Sequence, residues 1–261
     1  MNILDDLTPG TFDLHIHTTA SDGLYSPAAI VELAASIGLQ TISITDHDTM
    51  DGVEEAKEAG KRLGIRVIPG VEITTRFKGK NVDVLGYHIR DQQKISRRLE
   101  TFRKAREERA AKIIEKFCEN GMPITLEDVR RFSKGGVIAR PHIARAVVMK
   151  GYAFDTREVF EHYLADGKPC DVPKKELPLE AGVEMIREAG GVAVLAHPVL
   201  LKDFKLVEEI LEQGMDGIEV WHRKHTRHDT KELLRLAERH RLVVTGGSDF
   251  HTEDHPLGRF M

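Results

Sequence analysis

Asp13-Leu14-His15-Ile16-His17-Thr18-Thr19-Ala20-Ser21-Asp22-Gly23 decides how this chain is read. Its first half reads as a buried strand, and residues two apart on a strand face the same way. His15 and His17 therefore project together, while Leu14 and Ile16 face the other side. Two neighbouring imidazoles with a nearby carboxylate, Asp22, make half of a metal site. The other half has to come from elsewhere in the chain.

Working outward, the first strand covers roughly Thr11 to His17. Ser26-Pro27 then opens a helix, with Ser as N-cap and Pro at the first position. Ile30, Val31, Leu33, Ala34 and Ile37 give that helix an apolar face, and Gly38 ends it. A second strand, Thr41 to Thr45, runs into Asp46-His47-Asp48. A helix from about Asp51 to Leu63 follows, closed by Gly64. The third strand is Arg66 to Ile68, leading into Pro69-Gly70-Val71-Glu72-Ile73, and the fourth is Val82 to His88. This alternation implies parallel strands with helices outside. In such folds chemistry collects at the carboxyl ends of the strands. His15, His17, His47, Glu72 and His88 all fall at or near those ends.

The rhythm breaks near Asp91. Lys94 to Glu119 reads as one long helix. Between Lys94 and Lys116 it carries nine Lys or Arg against four Glu, a surplus of five positive charges that can guide an anionic ligand or simply be solvated. Thr125 and Asp128 resemble a capping box, and Arg140-Pro141-His142 opens a further helix. The stretch 92–177 is therefore expected to be a helical insertion, with 1–91 and 178–261 forming the barrel domain. The alternation resumes with a helix from Pro178 to Ala189. Strands at Val192 to Ala196, Gly217 to Trp221 and Leu242 to Thr245 follow, ending in His197-Pro198, His222 and Gly246-Gly247-Ser248-Asp249-Phe250-His251. Seven strand candidates predict an α/β protein, a distorted seven-stranded (β/α)7 barrel with a helical insertion.

Composition narrows the function. A formal charge of -4 gives no global attraction to nucleic acid or membrane. Two cysteines, Cys118 and Cys170, provide neither a disulfide framework nor a cysteine zinc site. The N-terminal stretch is acidic and lacks the apolar core of a signal peptide, and no apolar run approaches the ~20 residues of a membrane helix. A cytoplasmic location with no membrane contact is expected, and no obligate protein partner is evident.

Six histidines (15, 17, 47, 88, 197 and 251) and three carboxylates (Asp22, Glu72 and Asp249) then converge at strand ends. At three to five protein ligands per ion, nine ligands suit two or three divalent ions. Imidazole and carboxylate without thiolate favour Mn, Fe or Zn. Three ions bring about +6 and the carboxylates remove 3, leaving about +3, a cavity suited to a phosphate ester.

As an ordered set, Asp-Leu-His-Ile-His-Thr, Ser-Asp-Gly, Thr-Asp-His-Asp, Gly-Val-Glu-Ile, Gly-Tyr-His, Ala-His-Pro and Gly-Ser-Asp-Phe-His resemble the polymerase-and-histidinol-phosphatase (PHP) phosphoesterases. The resemblance implies a trinuclear site. His15, His17, Glu72 and Asp249 would hold one ion, and Asp22, His47 and His251 a second. Glu72 would bridge to a third ion held with His88 and His197. Glu72, Asp249 and His251 would take part in catalysis, which would proceed by attack of a metal-bound hydroxide on phosphorus.

The insertion and the Arg-Pro-His-Ile-Ala element resemble one branch of that family. It contains phosphatases acting on AMP or nucleoside 3′,5′-bisphosphates, and 5′-3′ exoribonucleases acting on short RNA. A nucleotide phosphomonoester is the expected substrate. Short RNA, a histidinol-phosphate-type substrate and a non-catalytic phospho-ligand module are the alternatives. Arg140 offers a bidentate fork for a phosphate, with His142 and His225 beside it as candidate substrate contacts. His222 and Arg223 share the loop of His225 and have the same two readings, substrate contact or ordinary loop residue.

Overall fold

The computed structural model describes residues 7–8, 10–133, 138–173 and 176–260, without the side chain of Arg103. Most of the N-terminal stretch read for a leader lies outside the described residues. Among the described residues seven strands form one sheet in sequence order: β1 (Phe12–Ile16), β2 (Thr41–Ile44), β3 (Arg66–Phe77), β4 (Lys80–Tyr87), β5 (Val192–Leu195), β6 (Gly217–His222) and β7 (Val243–Gly247). The sheet curls into a nearly closed barrel. The segment after β7 meets β1, where His17 donates its N–H to the Phe250 carbonyl at 2.9 Å and Phe250 donates to His15 at 3.3 Å.

Helices α1 (Pro27–Ser36), α2 (Val53–Leu63), α7 (Leu179–Glu188), α8 (Phe204–Leu211) and α9 (Arg227–His240) connect the strands. Each buries one apolar stripe, such as Val53, Ala56 and Ala59 on α2 or Leu206, Val207 and Ile210 on α8. Their ends follow the local chemistry. Ser26 accepts the Ala29 N–H at the start of α1, and Gly64 takes the left-handed conformation that ends α2. Thr226 and Asp229 cap each other at the start of α9.

One strand departs from expectation. β4 is antiparallel to both neighbours, not parallel. β3 is twelve residues long and folds straight back through Lys78-Gly79, whose φ angles of 44° and 77° make the two-residue turn that matches strand twist. The consequence is positional. The carboxyl ends of six strands share one pole of the barrel, and β4 brings its amino end to that pole.

The chain divides into two compact units, Met1–Arg98 with Glu176–Met261, and Leu99–Lys175. The division falls within α3 (Gln92–Glu119). The second unit also contains α4 (Leu126–Ser133), α5 (Arg140–Met149), α6 (Thr156–Val159) and a π-turn at Phe160–Leu164. Its own core includes Ile113, Phe117, Val129, Ile143, Val147 and Leu164. The Thr125–Asp128 capping box is present, with Asp128 accepting the Thr125 N–H at 3.0 Å and returning its own N–H to the hydroxyl at 3.1 Å. Among the described residues no helix is long and apolar enough to cross a membrane.

Candidate metal centre

The pole that gathers the strand ends also gathers the imidazoles. β1 delivers His15 and His17, both fully buried, and the loop after it delivers Asp22. That loop is tied down by Asp46, which accepts from the Thr18 N–H and hydroxyl at 2.7 Å each and from the Ser21 hydroxyl at 2.6 Å. His47 leaves β2 and pairs with Glu72 as an isolated parallel bridge. Asp48 accepts the Thr74 N–H at 3.4 Å, so it braces the same junction. β5 ends in His197, and β7 runs on to Asp249 and His251. Gly247 has to be glycine, because an added Cβ would lie 2.4 Å from the His15 nitrogen.

Glu72 is the hub. Its Oε2 lies 3.2 Å from His17 Nε2, 3.2 Å from His47 Nδ1 and 3.4 Å from His15 Nε2, and its Oε1 lies 3.1 Å from His197 Nε2. Asp249 Oδ1 stands 3.5 Å from His17 Nε2 and 3.7 Å from His15 Nε2. Asp22 is 3.4 Å from His251 Nε2 and 3.7 Å from His17 Nδ1. Among the described residues three overlapping groups can hold an ion: His17, Asp22, His47 and His251; His15, His17 and Asp249; and His15, Glu72 and His197.

The distances fit that use. Two donors each about 2.1 Å from one ion sit about 3.0 to 3.4 Å apart. His15 Nε2, both nitrogens of His17 and His47 Nδ1 are buried without a hydrogen-bond partner. Such atoms are costly unless something else fills their lone pairs.

Comparison with known proteins agrees with the geometry. The PHP domain model matches residues 13–126. The 5′-3′ exoribonuclease Rnm of Escherichia coli is 36% identical over 248 residues, 92% of this chain and 85% of that protein. The chain belongs to the PHP family. The 3′,5′-nucleoside bisphosphate phosphatase of Chromobacterium violaceum is 33% identical over 248 residues, covering 92% of this chain and 86% of that one. A solved structure from Bifidobacterium adolescentis, described as a metal-dependent phosphoesterase, superposes with a TM-score of 0.85 at 32% identity, covering 96% of this chain and 91% of that one. This PHP protein is a metal-dependent phosphoesterase.

In the PHP barrel His88 stands apart from the other predicted ligands and joins none of the three groups. β4 runs backward, so its carboxyl end lies at the opposite pole, where Tyr87 pairs with Val192 at the start of β5. Burial, then the charges of Arg66 and Arg90, hold the His88 pKa below its ordinary value. The residue that β4 brings to the site is Asp83, with Oδ2 3.8 Å from His197 Nε2 and a buried Oδ1 without a hydrogen-bond partner. Burial and then the charge of Glu72 raise the Asp83 pKa.

The predicted substrate contacts are distributed otherwise. Arg140 and His142 lie in the second unit. Arg140 Nη1 binds Asp166 Oδ1 at 2.8 Å, and the buried His142 accepts the Ala139 N–H on Nδ1 at 3.1 Å, which secures the first turn of α5. His225 lies in the barrel unit and donates from Nδ1 to the Val220 carbonyl at 3.0 Å. Its neighbour His222 accepts the Lys224 N–H on Nδ1 at 3.1 Å, which leaves Nε2–H facing Asp249 Oδ2 at 3.4 Å. Arg223 Nη2 binds the same oxygen at 3.0 Å. Asp249 thus offers one oxygen to the histidine groups and ties the other to the loop after β6.

Charges in this PHP site are mutually dependent. Burial alone would lower the His197 pKa, but its hydrogen bond to Glu72 and the nearby acids outweigh that and raise it to about 9. His251 is raised to about 9 in the same way, against burial, through Asp22 and Asp249. Burial and the charges of His251 and His47 push His17 down to about 4. Despite burial, His47 and His251 hold Asp22 well below the usual carboxylate range.

Two buried acids escaped the sequence reading, Asp13 and Glu219. Asp13 accepts the N–H groups of Ser248 and Gly258 at 2.9 Å each and the Ser248 hydroxyl at 2.5 Å, which pins the loop carrying Asp249. The available signal was a lone acid inside an apolar strand, a placement that burial tolerates only with partners.

Proposed function

We propose that this enzyme hydrolyses a nucleotide phosphomonoester, AMP or a nucleoside 3′,5′-bisphosphate, using two or three divalent ions, manganese first among them and iron or zinc next. The observation that carries the reading is a single buried carboxylate, Glu72, reaching four imidazoles. In this reading His15, His17 and Asp249 hold one ion with Glu72, and Asp22, His47 and His251 hold another. Glu72 and His197 share a third with Asp83, which takes the place expected of His88. Bound there, the ions would polarise phosphoryl oxygens and lower the pKa of a coordinated water.

The chain's own part is positioning. Glu72 and Asp249 set their oxygens beside the ring nitrogens, so that acid and imidazole would share an ion bound between them. His251, tied through Nδ1 to the Asp249 carbonyl at 3.0 Å, presents Nε2 beside Asp22, where the two would hold the second ion. Arg140 is kept as a proposed phosphate contact on its sequence alone; within its own unit it pairs with Asp166 at 2.8 Å. Arg140→Ala is then expected to raise KM more than it lowers kcat. His225 keeps Nε2 buried and without a hydrogen-bond partner, which supports a contact near the substrate. His142 is assigned to the start of α5.

The name of the Chromobacterium violaceum relative supports the phosphatase reading. The Escherichia coli relative, at 36% identity, supports a second one, 5′-3′ exonuclease action on short RNA. The deciding experiment offers AMP, adenosine 3′,5′-bisphosphate and a 5′-phosphorylated oligoribonucleotide to protein loaded with Mn, Fe or Zn. Inorganic phosphate is expected from a mononucleotide. Turnover of the oligonucleotide alone would replace the first reading by the second, and hydrolysis of none would overturn both.

A further inference from the structure

Glu219 lies in the middle of β6 between Ile218 and Val220 and is fully buried. An ionised carboxylate in that position is expensive unless its oxygens are used. Both are used, and on two residues from different parts of the chain. Oε1 lies 3.0 Å from His15 Nδ1, and Oε2 accepts the backbone N–H of His197 at 2.7 Å. A carboxylate only accepts, so His15 carries a hydrogen on Nδ1, and with an ion bound its Nε2 lone pair would face that ion beside Glu72 and Asp249.

The second contact acts on backbone. His197 has φ 26° and ψ 57°, a region that side-chain-bearing residues avoid. Held there by Glu219, its ring reaches Glu72 Oε1 at 3.1 Å and faces Asp83 at 3.8 Å. His15 and His197 belong together to one candidate group, with Glu72. Among the described residues Glu219 makes no hydrogen bond or ion pair to Asp22, His47 or His251.

We propose that Glu219 is a positioning residue that assembles the His15–Glu72–His197 ion site, setting the tautomer of one ligand and the backbone of another with a single carboxylate. The inference rests on the reading that these groups hold ions. Glu219→Gln keeps the shape but leaves one oxygen for two N–H donors, so one donor faces an NH2 group.

Metal-free wild type and Glu219→Gln are titrated with Mn(II), free ion being read by electron paramagnetic resonance, with circular dichroism and a melting curve for each. The expected result is a folded variant in which part of the isotherm weakens by about 10–100-fold while at least one binding step keeps its wild-type affinity. An unchanged isotherm overturns the inference and leaves the metal reading standing. A uniform loss over all steps, with a lower melting temperature, overturns it in favour of general loosening. Wild type that binds no Mn(II) overturns the metal reading and the inference with it.

A measurement on wild type keeps the test independent of the variant's folding. In zinc-loaded protein labelled with 15N-histidine, His15 is expected to show a slowly exchanging Nδ1–H with Nε2 on the metal. Zinc on Nδ1 of His15 would overturn the inference.

Discussion

The two poles of the barrel each carry a histidine just after a strand with positive φ: His197 at 26° and His88 at 54°. In sequence they look alike, Val-Leu-Ala-His and Leu-Gly-Tyr-His. Their surroundings are opposite. His197 faces Glu72 and Asp83, which raise its pKa to about 9 against burial. His88 is lowered by burial and by Arg66 and Arg90. The difference is strand direction alone. A histidine becomes a candidate ligand where the carboxylates of its neighbours converge, and β4 points its carboxyl end away from them.

The strongest blow to this contrast removes its centre. Glu72→Gln is expected to lower kcat by at least about 10³-fold, several kcal/mol of lost charge stabilisation, while the far-ultraviolet spectrum is unchanged. Activity near wild type would break the assignment of the pole. Next comes the paired substitution. His197→Ala should cost about 10–100-fold in metal affinity, measured by calorimetry. His88→Ala should stay within about twofold in kcat/KM, as for a residue remote from the chemistry. Equal effects would erase the difference between the poles. Asp83→Asn is a finer probe, expected to weaken metal binding by about tenfold, since its oxygen lies 3.8 Å from His197, at the edge of the cluster.

The smallest effect is a pH dependence. In the metal-free protein His197 and His251 have folded-state pKa values of about 9, above their ordinary 6.5. A raised histidine pKa contributes stability that is full below about 6.5 and fades as the pH rises through about 9. Melting temperatures of metal-free protein should therefore fall across that window. Ions displace those protons, so saturating metal should flatten the fall, and apparent metal affinity should increase with pH over the same range. A pH-independent melting temperature without metal would mean that the histidine–carboxylate pairs do not form.

Much of this was legible in the sequence because the informative residues sit at strand ends, where a single alternation rule places them. The pair His15 and His17 required only the two-residue period of a strand. Asp22, His47, Glu72, His197, Asp249 and His251 followed from helix and strand punctuation by Pro, Gly and Ser. The hairpin did not. Lys78-Gly79 is a two-residue turn without the Asn or Asp that usually marks one, and missing it reversed β4, displaced His88 and hid Asp83. Glu219 and Asp13 were hidden for another reason. Their partners, a ring nitrogen and backbone amides of distant segments, exist only once the barrel closes.

Gly247 carries a consequence for anyone who would redesign this centre. Even a methyl group there would meet His15 Cβ at 2.3 Å. One of the tight tolerances in the pocket therefore belongs to a residue with no functional group at all. A saturation library across the pocket should show that position as an intolerant column, dead for every replacement, including those that leave all of the acids and imidazoles untouched.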